Sequence, residues 1–596
     1  MRRSAFLTAC SALFVLAGTA IAVPAILDRV PADAAVAVAV PSVENLEKDL
    51  RSLAKLFGAP AEAVSVDAIF DQIGIPGVVS KTGPMAFFVI MPTEGQDEPT
   101  MGVLFTAADF DAVTKGLSAK ADGPLFSADL NGETIFVKKL DDQMVFASSN
   151  KAFTTTYEGK TGSAKAFTTL VGEMGDKAST NADLSIIINF EKVRPFVQMG
   201  LDQFQSQLES SPVPEEQLEQ MTKFMEIFGG TYVKDTASVT ATLNIEPAGL
   251  SLDWISRFTD GTTLAGITAS AGDSGKYFEK VPNMPYLAAF AADFSNPGVQ
   301  KLLAMVPDSA PAPIAPADGD KKADAAKPKT MDFNTKAAKE AMAMTTGAAS
   351  VIGVSPAGLM GGLLTRMVSY TATKDPAKML TLARENMQSM ADGDAAEVKY
   401  TQGGAEVAGR KVDVFEMRIK GGEENPMAGQ VMAGLYGLSG GPTGYTTTVE
   451  GGVVTTFAKS SELMEKSIKA AGGADTLSSD KTLAATAKNL PSGRVAEAYI
   501  GVRGILESVG GFLAMSNPNF KIDMPENLPP LALALSPNKG SLRATIFAPT
   551  PTLKILGDVA TQMAPRGEED EMDTEPAKDG EKPAKEGAKP AEKPKF

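Results

Sequence analysis

ADLSIIINFEKVRPFVQMGLDQF, residues 182–204, reads as a short buried strand that runs straight into a helix. Leu184 to Ile188 is a continuous apolar run of strand length, and Val193, Val197, Leu201 and Phe204 recur at helical spacing to mark one buried stripe. The same succession occurs three more times. Val36, Val38 and Val40 alternate with Ala35, Ala37 and Ala39, which predicts a strand apolar on both faces and buried between layers. Ser42 then caps a helix with Glu44 in its first turn and Val43, Leu46, Leu50, Leu53 and Phe57 on one face. In the third copy Tyr286 to Ala292 leads through Asn296-Pro297, a cap with proline at the first helical position, to Val299, Leu302, Leu303 and Val306. In the fourth, Val495 to Ile500 precedes Ile505, Leu506, Val509, Phe512 and Leu513.

Hairpins follow these units. Val239, Ala241, Leu243 and Ile245 alternate with Thr240, Thr242, Asn244 and Glu246, and Pro247-Ala248-Gly249 turns the chain into Leu250, Leu252 and Trp254. Such a pair is expected to keep its polar side wet. Residues 349–359 repeat the Pro-Ala-Gly-Leu tetrapeptide after another apolar strand, and 531–547 form a further hairpin around Pro537-Asn538-Lys539-Gly540. GETIFVKKLDDQMVFASSNKAF (132–153) is paralleled by residues 409–419 with 444–471. The expected fold is α+β: repeated β-α-β-β units, mainly antiparallel sheets with helices packed on one face, in two related halves. The spacing is too irregular for an open solenoid. The halves are placed at residues 23–275 and 276–563, with a Pro/Ala/Lys-rich mobile insertion at 308–330. Residues 564–596 are charged and proline-spaced, the composition of a disordered, solvating tail.

The N-terminus predicts export. Met1-Arg2-Arg3 is a basic n-region, Ala5 to Gly18 an apolar run, and Ala20-Ile21-Ala22 places small residues where a signal peptidase reads, so 1–22 is read as a cleaved signal peptide. Location is then periplasmic or extracellular. If uncleaved, residues 5–27 are long enough to anchor the chain in the inner membrane. Leu7-Thr8-Ala9-Cys10 has the letters of a lipidation site, but the apolar run follows Cys10, so lipidation would leave no hydrophobic segment to present it.

Composition closes many chemistries. The formal charge is -16, more negative still without Arg2 and Arg3, and no basic patch breaks it, which argues against nucleic-acid binding. The chain has no histidine, and its one cysteine, Cys10, leaves with the signal. Ser-His-Asp and Cys-His catalysis, His or Cys metal ligation, haem ligation and mature disulfides are therefore excluded. No cofactor or metal is expected. A Ser-Lys hydrolase is the distant enzymatic alternative: Ser52-x-x-Lys55, Ser148-x-x-Lys151, Ser478-x-x-Lys481, Ser148-Ser149-Asn150, Lys81-Thr82-Gly83 and Lys160-Thr161-Gly162 resemble the motifs of penicillin-binding enzymes. Their order fails, because Ser52 falls mid-helix and Ser148-Ser149-Asn150 lies almost against Lys160. Asp141-Asp142, Glu423-Glu424 and Asp392-Gly393-Asp394 read as solvated turns, and GLYGLSGGPTG (434–444) lacks the ending of a phosphate loop.

Methionine is the remaining signal: the chain has 27, and clusters form at Met221 and Met225, at Met379, Met387 and Met390, and at Met427 and Met432. Core filling accounts for most of them, while a Met-lined groove would suit a hydrophobic ligand. The candidate ligand-binding residues are Met427, Met432, Leu435 and Tyr436, in a segment read as a mobile apolar lip.

Residues 30–57, VPADAAVAVAVPSVENLEKDLRSLAKLF, with echoes at 282, 285 and 491, resemble a loosely defined group of uncharacterised exported bacterial proteins. Their modules open with a Pro-Ala-Asp turn, an Ala/Val-rich strand and an amphipathic helix. The resemblance implies export and modular α+β architecture and carries no chemistry. The expected function is that of an exported, non-enzymatic envelope protein that binds a protein or envelope polymer or serves as a structural component. The alternative is a periplasmic carrier of a hydrophobic ligand or lipid.

Overall fold

A computed structural model describes residues 23–59, 65–66, 79–92, 98–130, 132–210, 218, 222, 225–305, 335–392, 396–419, 426–437, 440–516 and 520–563. The signal segment, the 308–330 insertion and the 564–596 tail lie outside the described residues.

The first ten strands are β1 Val36–Val40, β2 Met85–Ile90, β3 Thr100–Thr106, β4 Lys120–Asp122, β5 Leu125–Leu130, β6 Glu133–Lys139, β7 Met144–Ser148, β8 Leu184–Asn189, β9 Thr236–Glu246 and β10 Gly249–Phe258. The next ten are β11 Tyr286–Ala292, β12 Thr345–Gly353, β13 Met367–Thr373, β14 Ala396–Val407, β15 Arg410–Ile419, β16 Thr443–Val449, β17 Gly452–Thr456, β18 Ala496–Ile500, β19 Leu531–Asn538 and β20 Ser541–Pro549. All belong to one sheet. Every pairing is antiparallel, and the order is β4-β5-β6-β7-β3-β2-β1-β8-β9-β10-β20-β19-β18-β11-β12-β13-β17-β16-β15-β14. The chain is thus mixed helix and strand, with a large antiparallel sheet.

All four strand-into-helix successions form. β1 enters helix Val43–Leu56, capped by Ser42 Oγ accepting from Asn45 N at 3.3 Å. β8 enters helix Phe190–Glu209, β11 helix Pro297–Met305 and β18 helix Val502–Ser516. Helices cover both faces of the sheet, which corrects the one-face expectation. The reason is visible in β1: Ala37 and Ala39 pack with Phe88, Phe146, Phe167 and Val171 beneath helix Ala164–Thr180. Val36, Val38 and Val40 join Leu46 and Leu50 of helix Val43–Leu56 on the other side. A strand apolar on both faces demands two covers.

The sheet is joined at its centre by β10 and β20, in register from Gly249 opposite Pro549 to Arg257 opposite Ser541, with Asp253 opposite Thr545 midway. On the face of the sheet that carries Val38 and Trp254, helix Thr550–Met563 returns to helix Val43–Leu56, where Gly557 lies so close that an added Cβ would stand 1.8 Å from Leu56 O. At the other end, helix Thr263–Ile267 meets helix Pro297–Met305, with Gly298 equally close to Ile267 O, at 1.7 Å for a Cβ. No helix among the described residues is long and apolar enough to cross a membrane.

Candidate functional site

At the central junction the usual arrangement of a half-wet sheet is reversed. On β10, Ser251 and Asp253 face one side, and Leu250, Leu252 and Trp254 the other. The polar side is the buried one: helix Ala164–Thr180 lies across β9, β10 and β20 there, and Asp253 is only 7% exposed. The Asp253 carboxylate accepts from Arg543 Nε at 2.7 Å and Nη2 at 2.8 Å and from Thr545 Oγ1 at 2.5 Å, so its burial is compensated. The apolar side is open: Trp254 and Ile546 are each 49% exposed, and Leu252, Leu533, Leu535 and Phe290 are also exposed. The expected wet polar face is therefore corrected to a wet apolar one. Fully burying each such aliphatic or aromatic side chain is worth about 1.5–3 kcal/mol relative to leaving it exposed. Six of them together make a patch of roughly 500 Å², at the upper end for a monomer and characteristic of a binding surface.

Cross-strand pairing orders these side chains into rows. Leu243, Leu252, Ile546, Leu533, Ala498 and Phe290 are successive partners across β9, β10, β20, β19, β18 and β11. The row beside it runs Ala241, Trp254, Ala544, Leu535, Ala496 and Ala292. Leu243 is buried in the core beside Leu46 and Leu50, so with strands about 4.8 Å apart the open floor from Leu252 to Phe290 is ~19 Å long. Its one polar side-chain group is the Trp254 indole N–H. The row ends beyond Phe290 at Ser350, whose hydroxyl pairs with that of Ser369 at 2.8 Å. Helices stand beside the floor, Val43–Leu56 and Thr550–Met563 among them. In helix Phe190–Glu209, Val193, Val197 and Leu201 pack against Ile188 and Val239. In helix Val502–Ser516, Val502 and Leu506 pack with Leu531. Phe204, expected on the buried stripe of its helix, is exposed, as are Phe196 and Met199.

No family model and no curated protein matches this chain. Among solved structures, the one titled "Structure of crystal form III of TP0453" aligns with 48% of this chain and 98% of that chain, at 10% sequence identity and a TM-score of 0.22. That likeness is too slight to assign a fold family. The outcome agrees with the resemblance of residues 30–57 to a group without an established activity.

The candidate lip lies elsewhere. Helix Pro426–Tyr436 is held against residues 358–365, with Leu363 N donating to Gly434 O at 3.0 Å and Leu364 N to Leu435 O at 2.8 Å. Met432, Leu435 and Tyr436 are half-buried there; the side chain of Met427 lies outside the described residues, as does Met221. Burial shifts the Tyr436 hydroxyl upward. Met379 and Met390 are buried, and Met387 and Met390 pack with Met417 and Val398. The residues that sequence reasoning missed are Leu252, Trp254, Leu533, Leu535, Ile546 and Phe290. Their alternation was readable, but the side left uncovered was not.

The Ser-Lys motifs are not brought together as nucleophile and base. Ser148 is buried, donates to Met101 O at 2.6 Å and accepts from Asn150 N at 3.1 Å, while Lys151 Nζ pairs with Asp122 at 2.7 Å. Ser52 lies on an exposed helical face and donates to Lys48 O at 2.9 Å. Ser478 shares a hydrogen bond with Thr476 at 2.9 Å. Asp141 closes the β6–β7 turn, accepting from Met144 N at 2.9 Å; Glu423, Glu424 and Asp394 lie outside the described residues. Among the described residues no group of three or more acidic side chains is placed to hold a metal.

Two open clefts occupy corresponding corners of the sheet. One, of about 910 Å³, lies where β1 begins and β8 ends, lined by Ala32, Lys165, Asn189, Glu191, Arg194 and Arg257 among others. The other, of about 610 Å³, lies where β11 begins and β18 ends, lined by Tyr286, Asp475, Asp480, Lys481, Arg503 and Glu507 among others.

Proposed function

We propose that this chain is an exported, non-enzymatic binding protein of two related halves, and that its working surface is the apolar floor at the junction of those halves. The occupant is an apolar chain of the lipid-tail type, so the protein acts as a carrier or holder of such ligands. The observation that carries this reading is the reversed sheet, with Asp253 and Thr545 buried and Trp254 and Ile546 in the open. A surface almost without hydrogen-bonding groups, ~19 Å long across five strands, suits a ligand that offers none, whereas a typical protein interface carries about ten hydrogen bonds.

The strand order supports the two halves. When β11 to β20 are matched in turn with β1 to β10, the order inward from the β4 edge equals the order inward from the β14 edge. The β10–β20 register supports it as well, because the midpoint pair, Asp253 and Thr545, occupies matching positions in the two hairpins. On this reading each half supplies one side of the floor. Export rests on the basic and apolar character of residues 1–22.

Trp254 is the single tryptophan, so its fluorescence reports on the floor alone. Titrating the full chain with palmitate is expected to shift its emission to the blue and to give a palmitate adduct in native mass spectrometry, both lost in Leu252→Asp. Absence of shift and adduct at saturating palmitate overturns the reading. So does a blue shift that follows protein concentration and a dimer mass without palmitate, since a second copy would then cover the face.

A further inference from the structure

We infer that the cleft where β1 begins and β8 ends is a binding site for a phosphate-type oxyanion. Three cations line it, Lys165, Arg194 and Arg257, against one acid, Glu191. Among the described residues none of these three makes an ion pair, although the chain carries a net charge of -16. Both guanidinium groups are fixed by main-chain carbonyls instead. Arg194 donates from Nε to Val233 O and from Nη2 to Thr236 O, each at 3.0 Å. Arg257 donates from Nη1 to Thr169 O at 2.5 Å and Leu170 O at 3.0 Å. A guanidinium has five N–H donors in a rigid fork, so each retains donors beyond those bonds. Two anchored forks and a lysine around one cleft match a group with several charged oxygens better than a single point charge.

Two further observations bear on the cleft. Asn189, 9% exposed and at the start of helix Phe190–Glu209, lines it without making the usual side-chain cap, so the first-turn N–H groups of that helix lack this acceptor. The cleft also sits at the N-terminus of that long helix, where anions are favoured. The corresponding cleft at β11 and β18 shows that the fold does not require uncompensated charge there. Its Arg503 pairs with Glu507 at 2.7 Å, and Asp475, Asp480 and Glu526 add further negative charge. The oxyanion site is separate from the apolar floor, because Arg257 and Trp254 project from opposite faces of β10. Failure of one reading leaves the other standing.

The ligand chemistry is shared by a free phosphate ester and a phospholipid headgroup, and the test separates them. The full chain is titrated by calorimetry, at constant ionic strength, with inorganic phosphate and with glycerol phosphate, and is co-sedimented with phosphatidylglycerol or phosphatidylcholine vesicles. Binding of the soluble phosphates, weakened about tenfold or more in Lys165→Glu, is expected for a free ester. Binding confined to vesicles and lost in Lys165→Glu assigns a headgroup. Lys399→Glu, on the far edge strand, is expected to bind as the native chain does, and circular dichroism checks the fold of each variant. Absence of binding to every probe overturns the inference, as does affinity unchanged in both Lys165→Glu and Arg194→Gln.

Discussion

Asp413 is buried in β15, and burial alone would raise its carboxyl. It is outweighed by Arg384 Nε at 2.8 Å, Tyr400 Oη at 2.5 Å and Gly403 N at 2.8 Å, which hold the group below the ordinary carboxylate range. Asp293 is held low in the same way: burial raises it, and bonds from Ser295 and Asp273 N with the charge of Lys276 outweigh that. Because the folded values lie below the unfolded ones, both carboxylates contribute stability that is present above the unfolded pKa and is lost as pH falls through the folded one. The thermal midpoint should therefore drop steeply below about pH 4. Asp413→Asn should unfold more easily at neutral pH, by about 1.5–3 kcal/mol for the charge-assisted bonds lost to a half-buried Arg384, and show a shallower fall in acid; a parallel fall in the two proteins would contradict the assignment. Residue types were the most legible level of the sequence, since the absence of histidine, and of any cysteine beyond Cys10, is an absolute statement. Side-chain partners were not legible. Nothing in Ser148-x-x-Lys151 says that the hydroxyl is given to Met101 O and the ammonium to Asp122.

Elements were legible wherever periodicity was strong. The four strand-helix successions and the β9–β10 and β19–β20 hairpins all form, because apolar spacing and capping residues act locally. The error in β10 has a non-local cause. Alternation tells which residues share a face, but the choice of covered face is made by helix Ala164–Thr180, some seventy residues upstream. Ser238 and Arg257 bind that helix through Leu170 O, at 2.8 and 3.0 Å, and draw the polar side under it. Helix contacts yield a direct test. In Gly557→Ala the new methyl would meet main chain at Leu56, which cannot rotate away, so a loss of about 1–3 kcal/mol in urea unfolding is expected. Gly200, mid-helix with nothing within 4 Å of an added Cβ, should instead gain about 0.5–1 kcal/mol as Ala. Equal effects at the two glycines would refute the packing of helix Thr550–Met563 on helix Val43–Leu56.

At the scale of the whole molecule, the sequence pointed to parallel stretches but not to one sheet, because strand-to-strand joins between distant segments leave no local pattern. The join makes β10 and β18 depend on the last hairpin. A chain ending at residue 530 lacks β19 and β20 and bares an edge on each, and it should associate in a concentration-dependent way by sedimentation velocity where the full chain does not. A monomeric truncated chain would count against the central pairing. The same feature sets a clock on biosynthesis. Asp253 finds Arg543 only 290 residues later, which at about 5–20 residues per second is roughly 15–60 s of ribosome travel. Throughout that interval the nascent polypeptide carries an unzipped, grease-lined seam, so a chaperone that shields it is expected to raise the yield of folded protein.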